Sequence, residues 1–270
     1  TLKQQKSMEK MQEIIAQNAW GYLLAIAVGL TVLLAWKGWD FFREEVFEKR
    51  GRMDIGTFLA ITCVFLGCQV GVSFYASILE VILNCFGLSA MMALEAATVQ
   101  ADTFSMFLYA AIVAPVGEEL LFRGYVLRTL RPYGKRFAIL GSALLFGIFH
   151  GNLLQTPYAV LMGLVLGYLT VEYSIRWAVL LHLFNNLVLA DLLTRLTAHW
   201  SEPAFGTLNL VLFGGGALVS LVILLRNRDR IRAYRKSEWM DRRCIRCFLT
   251  AVGILALTVV MGCNMLLLFV

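Results

Sequence analysis

The sequence predicts an all-α polytopic membrane protein with about eight transmembrane helices. Three observations predict it. First, 59% of the 270 residues are hydrophobic and 16% are charged, whereas a soluble domain of this size sits near 45–50% apolar and about 25% charged. Second, several apolar stretches approach the ~20 residues that cross about 30 Å of hydrocarbon as a helix. Third, the charges cluster between those stretches, and the alternating ten-residue pattern of a membrane barrel is absent.

Taken in order, the expected spans are residues 19–36, 56–79, 104–127, 137–151, 156–173, 177–194, 205–225 and 247–269. Residues 1–18 are polar and helix-prone, with no cleavable signal pattern before the first span. Residues 80–103 mix apolar and polar positions, and are read as a continuation of the second span followed by a surface helix. No repeat or low-complexity tract breaks the chain, so residues 1–270 are expected to form one integral-membrane domain.

Positive charge tests this count. The loops after spans 1, 3, 5 and 7 hold five, four, one and nine Lys or Arg, and the opposite side holds four: Lys3, Lys6, Lys10 and Arg195. Removing one span would put large basic loops on both sides. The asymmetry therefore supports eight spans, with basic loops in the cytoplasm and both termini outside. The net charge of +6 lies beside apolar spans and faces anionic headgroups, so nucleic acid is not an expected partner. The six cysteines sit mostly in apolar segments and read as small buried hydrophobes. Cys244-x2-Cys247 lacks the second pair or nearby His that would complete a zinc or redox site.

The polar residues inside the spans carry the chemistry. Span 3 contains Ala114-Pro-Val-Gly-Glu118-Glu119-Leu-Leu-Phe-Arg123-Gly124, and each mid-helix charge costs roughly 2.5–3.5 kcal/mol even on a lenient insertion scale. Glu119 and Arg123 have the i,i+4 spacing of an intrahelical ion pair. That leaves Glu118 without a structural duty, a carboxyl suited to act as general base or acid. Pro115 frees a backbone carbonyl about one turn earlier. In Phe146-x3-His150, the phenyl ring lies one turn before the imidazole on the same face. In His182-x3-Asn186, the two polar groups share a helical face. Either motif alone is equally an interhelical hydrogen-bonding element.

Together, a carboxylate and an imidazole can hold and deprotonate water, while a second His and an Asn amide can stabilise an oxyanion on a peptide carbonyl. Two His and a Glu (Glu118, His150 and His182) are also adequate zinc ligands with an open position for water. Spacing does not choose between these forms, although the His-Glu-x2-His helix of zinc proteases is missing. Gly141-Ser142, the only suggestion of a serine nucleophile, reads better as a small-residue helix contact. A membrane scaffold or signalling regulator is the rival from a different class. A proton-relaying transporter is a third reading that no repeat between the two halves supports.

The three motifs, in this order, resemble the CPBP (CAAX protease and bacteriocin-processing, or ABI) family, which includes the type II CAAX prenyl endopeptidases. The resemblance covers about residues 104–190. It implies an intramembrane endopeptidase acting on a membrane-associated protein or peptide in the lipid bilayer, with its cavity open to the cytoplasm. On it, Glu118 activates water beside His150, His182 and Asn186 form the oxyanion site, and Glu119 and Arg123 support the geometry. It also implies a glutamate-type reaction without a cofactor, with zinc as the alternative. The short loops resemble prokaryotic members, which places the chain in a prokaryotic plasma membrane.

Overall fold

A computed structural model describes residues 18–90, 103–237 and 242–267. Among these the chain is helical throughout, with no strand. The helices are α1 (Trp20–Lys37), α2 (Ile55–Asn84), α3 (Phe104–Tyr133), α4 (Lys135–Phe149), α5 (Gln155–Glu172), α6 (Ile175–Thr197) and α7 (Glu202–Arg226). There follow a short basic helix α8 (Arg228–Ser237) and a bent pair, α9 (Arg242–Thr250) and α10 (Val252–Leu267). Seven of the eight expected spans overlap a single helix each; the eighth, 247–269, runs over the bent pair and ends outside the described residues.

The helices are not equivalent. Five described helices, α1, α2, α3, α6 and α7, are long and apolar enough to cross a membrane, and the bent pair makes a sixth where it is counted as one span. Helix α4, at 15 residues, is only about 22 Å long, and α5 begins and ends on polar residues. These two bury about half of their residues against neighbouring helices, with Leu144, Phe149 and Leu161 left exposed. Helix α2 continues past the expected end of the second span to Asn84. The surface helix expected after it lies outside the described residues.

Helix α2 starts where Asp54 caps it: the Thr57 amide donates to Asp54 Oδ1 at 2.9 Å and its hydroxyl to Oδ2 at 2.6 Å. The hydroxyl bond, then the amide bond, hold the Asp54 carboxyl below its usual range. Such a cap is retained above that range and lost only when acid protonates the carboxylate. The outer faces of α1, α2 and α7 present Val32, Phe74, Ile78 and Leu218 outward, the pattern of helices solvated by lipid. Trp20 and Trp36, 60% and 67% exposed, lie at the two ends of α1, and indoles favour the bilayer interface.

The basic loops contact one another. At one end the Arg50 amide donates to Tyr173 O, Arg128 lies 3.6 Å from Glu48, and Lys135 lies 3.4 Å from Glu172. Tyr234 also donates to Glu172, and Arg136 donates to Arg235 O. All four basic loops therefore meet at one end of the bundle. At the other end the Ala19 amide meets Ser105 Oγ, and Tyr75 donates to Leu153 O.

In lipid, helices associate through close packing rather than apolar transfer. Helix α7 meets α2 through Gly216-x3-Ser220 against Leu66 and Gly67. Helices α4 and α5 approach more closely still. A Cβ built on Gly163 would lie 2.9 Å from Ala143 Cα and 3.2 Å from Arg123 Nη2. Phe65, Leu66, Met162, Leu166, Leu169, Ala178 and Leu181 fill the core between α2, α5 and α6. Gly163→Val is expected to destabilise the fold by about 1–3 kcal/mol, seen as a lower unfolding temperature in detergent. Gly206→Ala, with open space around the added methyl, is expected to leave that temperature unchanged or slightly raised.

Candidate active site

The site is built on α3, whose backbone departs from α-helical pitch on both sides of the two glutamates. Before them the Ala114 amide donates to Tyr109 O, and after them the Leu127 amide donates to Phe122 O. Both are i→i−5 bonds. Such widened turns recur at functional sites because they rotate the following side chains relative to a regular helix. In the first widened register, the residue due to donate to Ala110 O is Pro115, which has no N–H. The orphaned carbonyl receives the Asn186 side-chain amide instead, at 3.1 Å. In a regular helix the carbonyl freed by Pro115, one turn earlier, would be Ala111 O; the widened turn moves the vacancy to Ala110 O.

Glu119 and Arg123 form the expected pair at 2.9 Å, both with fully buried side chains. The same carboxylate oxygen, Glu119 Oε1, accepts from His182 Nδ1 at 2.9 Å. Arg123, Glu119 and His182 thus form a buried triad linking α3 to α6. The Arg123 guanidinium also stands over the Phe146 ring, 4.2 Å from its centroid, a cation–π contact that helps a charge held away from water.

Glu118 points the other way. Its side chain keeps 22% exposure, and its Oε2 lies 3.8 Å from His182 Nε2. The sequence left Glu118 without a partner; the fold supplies one from α6. With Nδ1 turned to Glu119, His182 presents Nε2 to Glu118 and is held between the two carboxylates.

Phe146 joins the second motif to this cluster. Its ring makes edge contacts with His150 at 4.7 Å and His182 at 5.8 Å, and it is fully buried. His150 Nδ1 lies 2.7 Å from Phe146 O. A carbonyl only accepts, so the imidazole hydrogen sits on Nδ1 and Nε2 is left as the acceptor. His150 meets the cluster through the Phe146 ring. Ser142 is buried and donates to Phe122 O at 2.8 Å, so the Gly141-Ser142 pair is the helix contact it was read as. Among the described residues no three His, Cys, Asp or Glu side chains converge as metal ligands would.

Sequence reasoning missed the surroundings of Asn186. Its Oδ1 accepts from Asn185 Nδ2 at 2.8 Å, and Asn185 Oδ1 accepts from Tyr158 at 2.7 Å. Gln69, on α2, donates to Tyr158 at 2.8 Å. The only signal was an isolated amide within apolar α2 and a second Asn beside Asn186, neither of which reveals a partner 89 residues away.

Removal of Glu119 leaves Arg123 as an uncompensated buried charge. Glu119→Ala is therefore expected to lower stability by about 3–5 kcal/mol, measured by unfolding in detergent. Glu119→Ala combined with Arg123→Met is expected to cost less than the sum of the two single changes.

Neither the curated proteins nor the solved structures gave a significant match to the chain. A family model did: residues 100–188 match type II CAAX prenyl endopeptidase, Rce1-like. The matched segment contains Glu118, Glu119, Arg123, Phe146, His150, His182 and Asn186, and so supports the family that the three motifs resemble. The core built from α3 to α6 is thus similar to that of a CAAX-type intramembrane endopeptidase.

Proposed function

We propose that this protein is an intramembrane endopeptidase that hydrolyses a peptide bond of a membrane-associated protein or peptide, using water activated by Glu118. The observation that carries the reading is Glu118 facing His182 Nε2 at 3.8 Å above the buried Arg123–Glu119–His182 triad. Two carboxylates there face one guanidinium. A proton taken from water by Glu118 moves this desolvated cluster toward neutrality, which favours base catalysis.

The proton then passes toward His182 Nε2 and on to the departing amine, so that it leaves with the product. While protonated at both nitrogens, His182 can donate through Nε2 to the oxyanion of the tetrahedral intermediate. The second hydrogen of the Asn186 amide supplies a further donor. His150, with its acceptor nitrogen free of the backbone bond, orients water or substrate on the α4 side.

We favour the reaction without a metal. The support is geometric: His182 Nδ1 is taken by Glu119, and His150 meets the cluster through Phe146 rather than by a shared ligand position. Zinc on Glu118, His150 and His182 would need a rearrangement of these donors. The site would open toward the end where the basic loops gather. By the charge rule that end is cytoplasmic, in a prokaryotic plasma membrane.

The scaffold alternative predicts that Glu118 is dispensable. The discriminating experiment uses protein reconstituted in proteoliposomes and a quenched fluorescent peptide ending in a CAAX sequence, with and without a farnesyl group. Glu118→Gln is expected to lower kcat by about 10²–10⁴-fold while the helical circular dichroism spectrum is retained. Equal turnover by the variant, or no turnover of either peptide by the wild-type protein, contradicts the reading. Chelation with 1,10-phenanthroline is expected to leave wild-type turnover unchanged; loss of activity restored by zinc would overturn the metal-free mechanism.

A further inference from the structure

Four side-chain hydrogen bonds run head to tail across the bundle. Gln69 Nε2 on α2 donates to the Tyr158 hydroxyl on α5, and that hydroxyl donates to Asn185 Oδ1 on α6. Asn185 Nδ2 donates to Asn186 Oδ1, and Asn186 Nδ2 donates to Ala110 O on α3. Every bond points the same way, so each polarises the next. The chain begins outside the matched segment, at Gln69, and ends at the carbonyl that Pro115 leaves without a backbone donor.

An asparagine amide is nearly symmetric in shape, and only its partners decide which end is nitrogen. Asn186 is constrained at both ends: a donor approaches its oxygen and an acceptor receives one of its two hydrogens. Only the remaining hydrogen is free to serve a substrate. A flipped amide would present oxygen to the Ala110 carbonyl and nitrogen to the Asn185 amide, two repulsive contacts. The Ala110 carbonyl, which only accepts, sets the direction of the chain, and the Tyr158 hydroxyl, donating to Asn185 Oδ1 while it receives the Gln69 amide, opposes a flip of Asn185.

We propose that Tyr158, Gln69 and Asn185 are positioning residues that fix the orientation of the Asn186 amide, making α2 part of the functional unit rather than only its packing. This rests on the endopeptidase reading for its catalytic consequence, although the orientation itself does not.

Two measurements on the full chain separate those levels. In nanodiscs containing protein with ¹⁵N-labelled asparagine, the side-chain amide signals of Asn186 are assigned by their loss in Asn186→Ala. Tyr158→Phe, which removes one oxygen and keeps the ring, is expected to shift both Asn186 signals, and Gln69→Leu to shift them less. Unmoved Asn186 signals in Tyr158→Phe overturn the proposal whatever the protein cleaves. In the proteoliposome assay, Tyr158→Phe is expected to lower kcat about tenfold, the loss of one aligned hydrogen bond in the transition state. KM should stay within about twofold, and Tyr158→Phe should have no further effect on the residual turnover of Asn186→Ala. An equal loss in the Asn186→Ala background shows that Tyr158 acts on packing and also overturns the proposal. Shifted signals without any wild-type turnover would instead retain the positioning and refute the protease.

Discussion

Glu119 Oε1 accepts hydrogen bonds from both Arg123 and His182, and the polar interior is organised around that oxygen. A carboxylate in a helix core is tolerable only when paired, and its partner here lies one turn away on the same helix. The pair then has enough residual acceptor capacity to recruit an imidazole from α6. Once Nδ1 of His182 is held, Nε2 has one direction to face, and Glu118 stands in that direction. The costly buried charge therefore sets the geometry of the neighbouring, partly exposed carboxyl.

The membrane environment explains why the supporting shell takes this form. Helices gain little by burying apolar surface against one another when lipid is equally apolar. Close backbone approach at Gly163 and Ala143, and hydrogen bonds from Ser142 to Phe122 O and Asn186 to Ala110 O, do that work instead. The widened turns of α3 require such partners, because each displaces carbonyls from the regular ladder.

Much of this was legible in the sequence, for reasons that differ by residue. Span positions followed from length and hydropathy, and Glu119 with Arg123 from a fixed helical spacing. Phe146 and His150 followed the same rule. The partner of Glu118 was not legible, because His182 comes from a helix 63 residues away in the case of Glu119, and spacing along one helix says nothing about another. The eight-span reading treated α4 and α5 like the lipid-facing helices. The shortness of α4 and the polar ends of α5 go with the burial of about half of each helix against its neighbours. Gln69 and Tyr158 carried no readable signal, because the chain of bonds that joins them exists only in three dimensions.

The central claim is that Glu118 cuts peptide bonds, and the most direct measurement makes no assumption about the substrate. Membranes from cells carrying wild-type protein and from cells carrying Glu118→Ala protein at equal abundance are compared by mass spectrometry of protein termini. Cleavage predicts a set of new termini at membrane-associated segments that is present with the wild-type protein and absent with the variant. Identical termini in the two membranes, under conditions where the wild-type protein produces its biological effect, would contradict it.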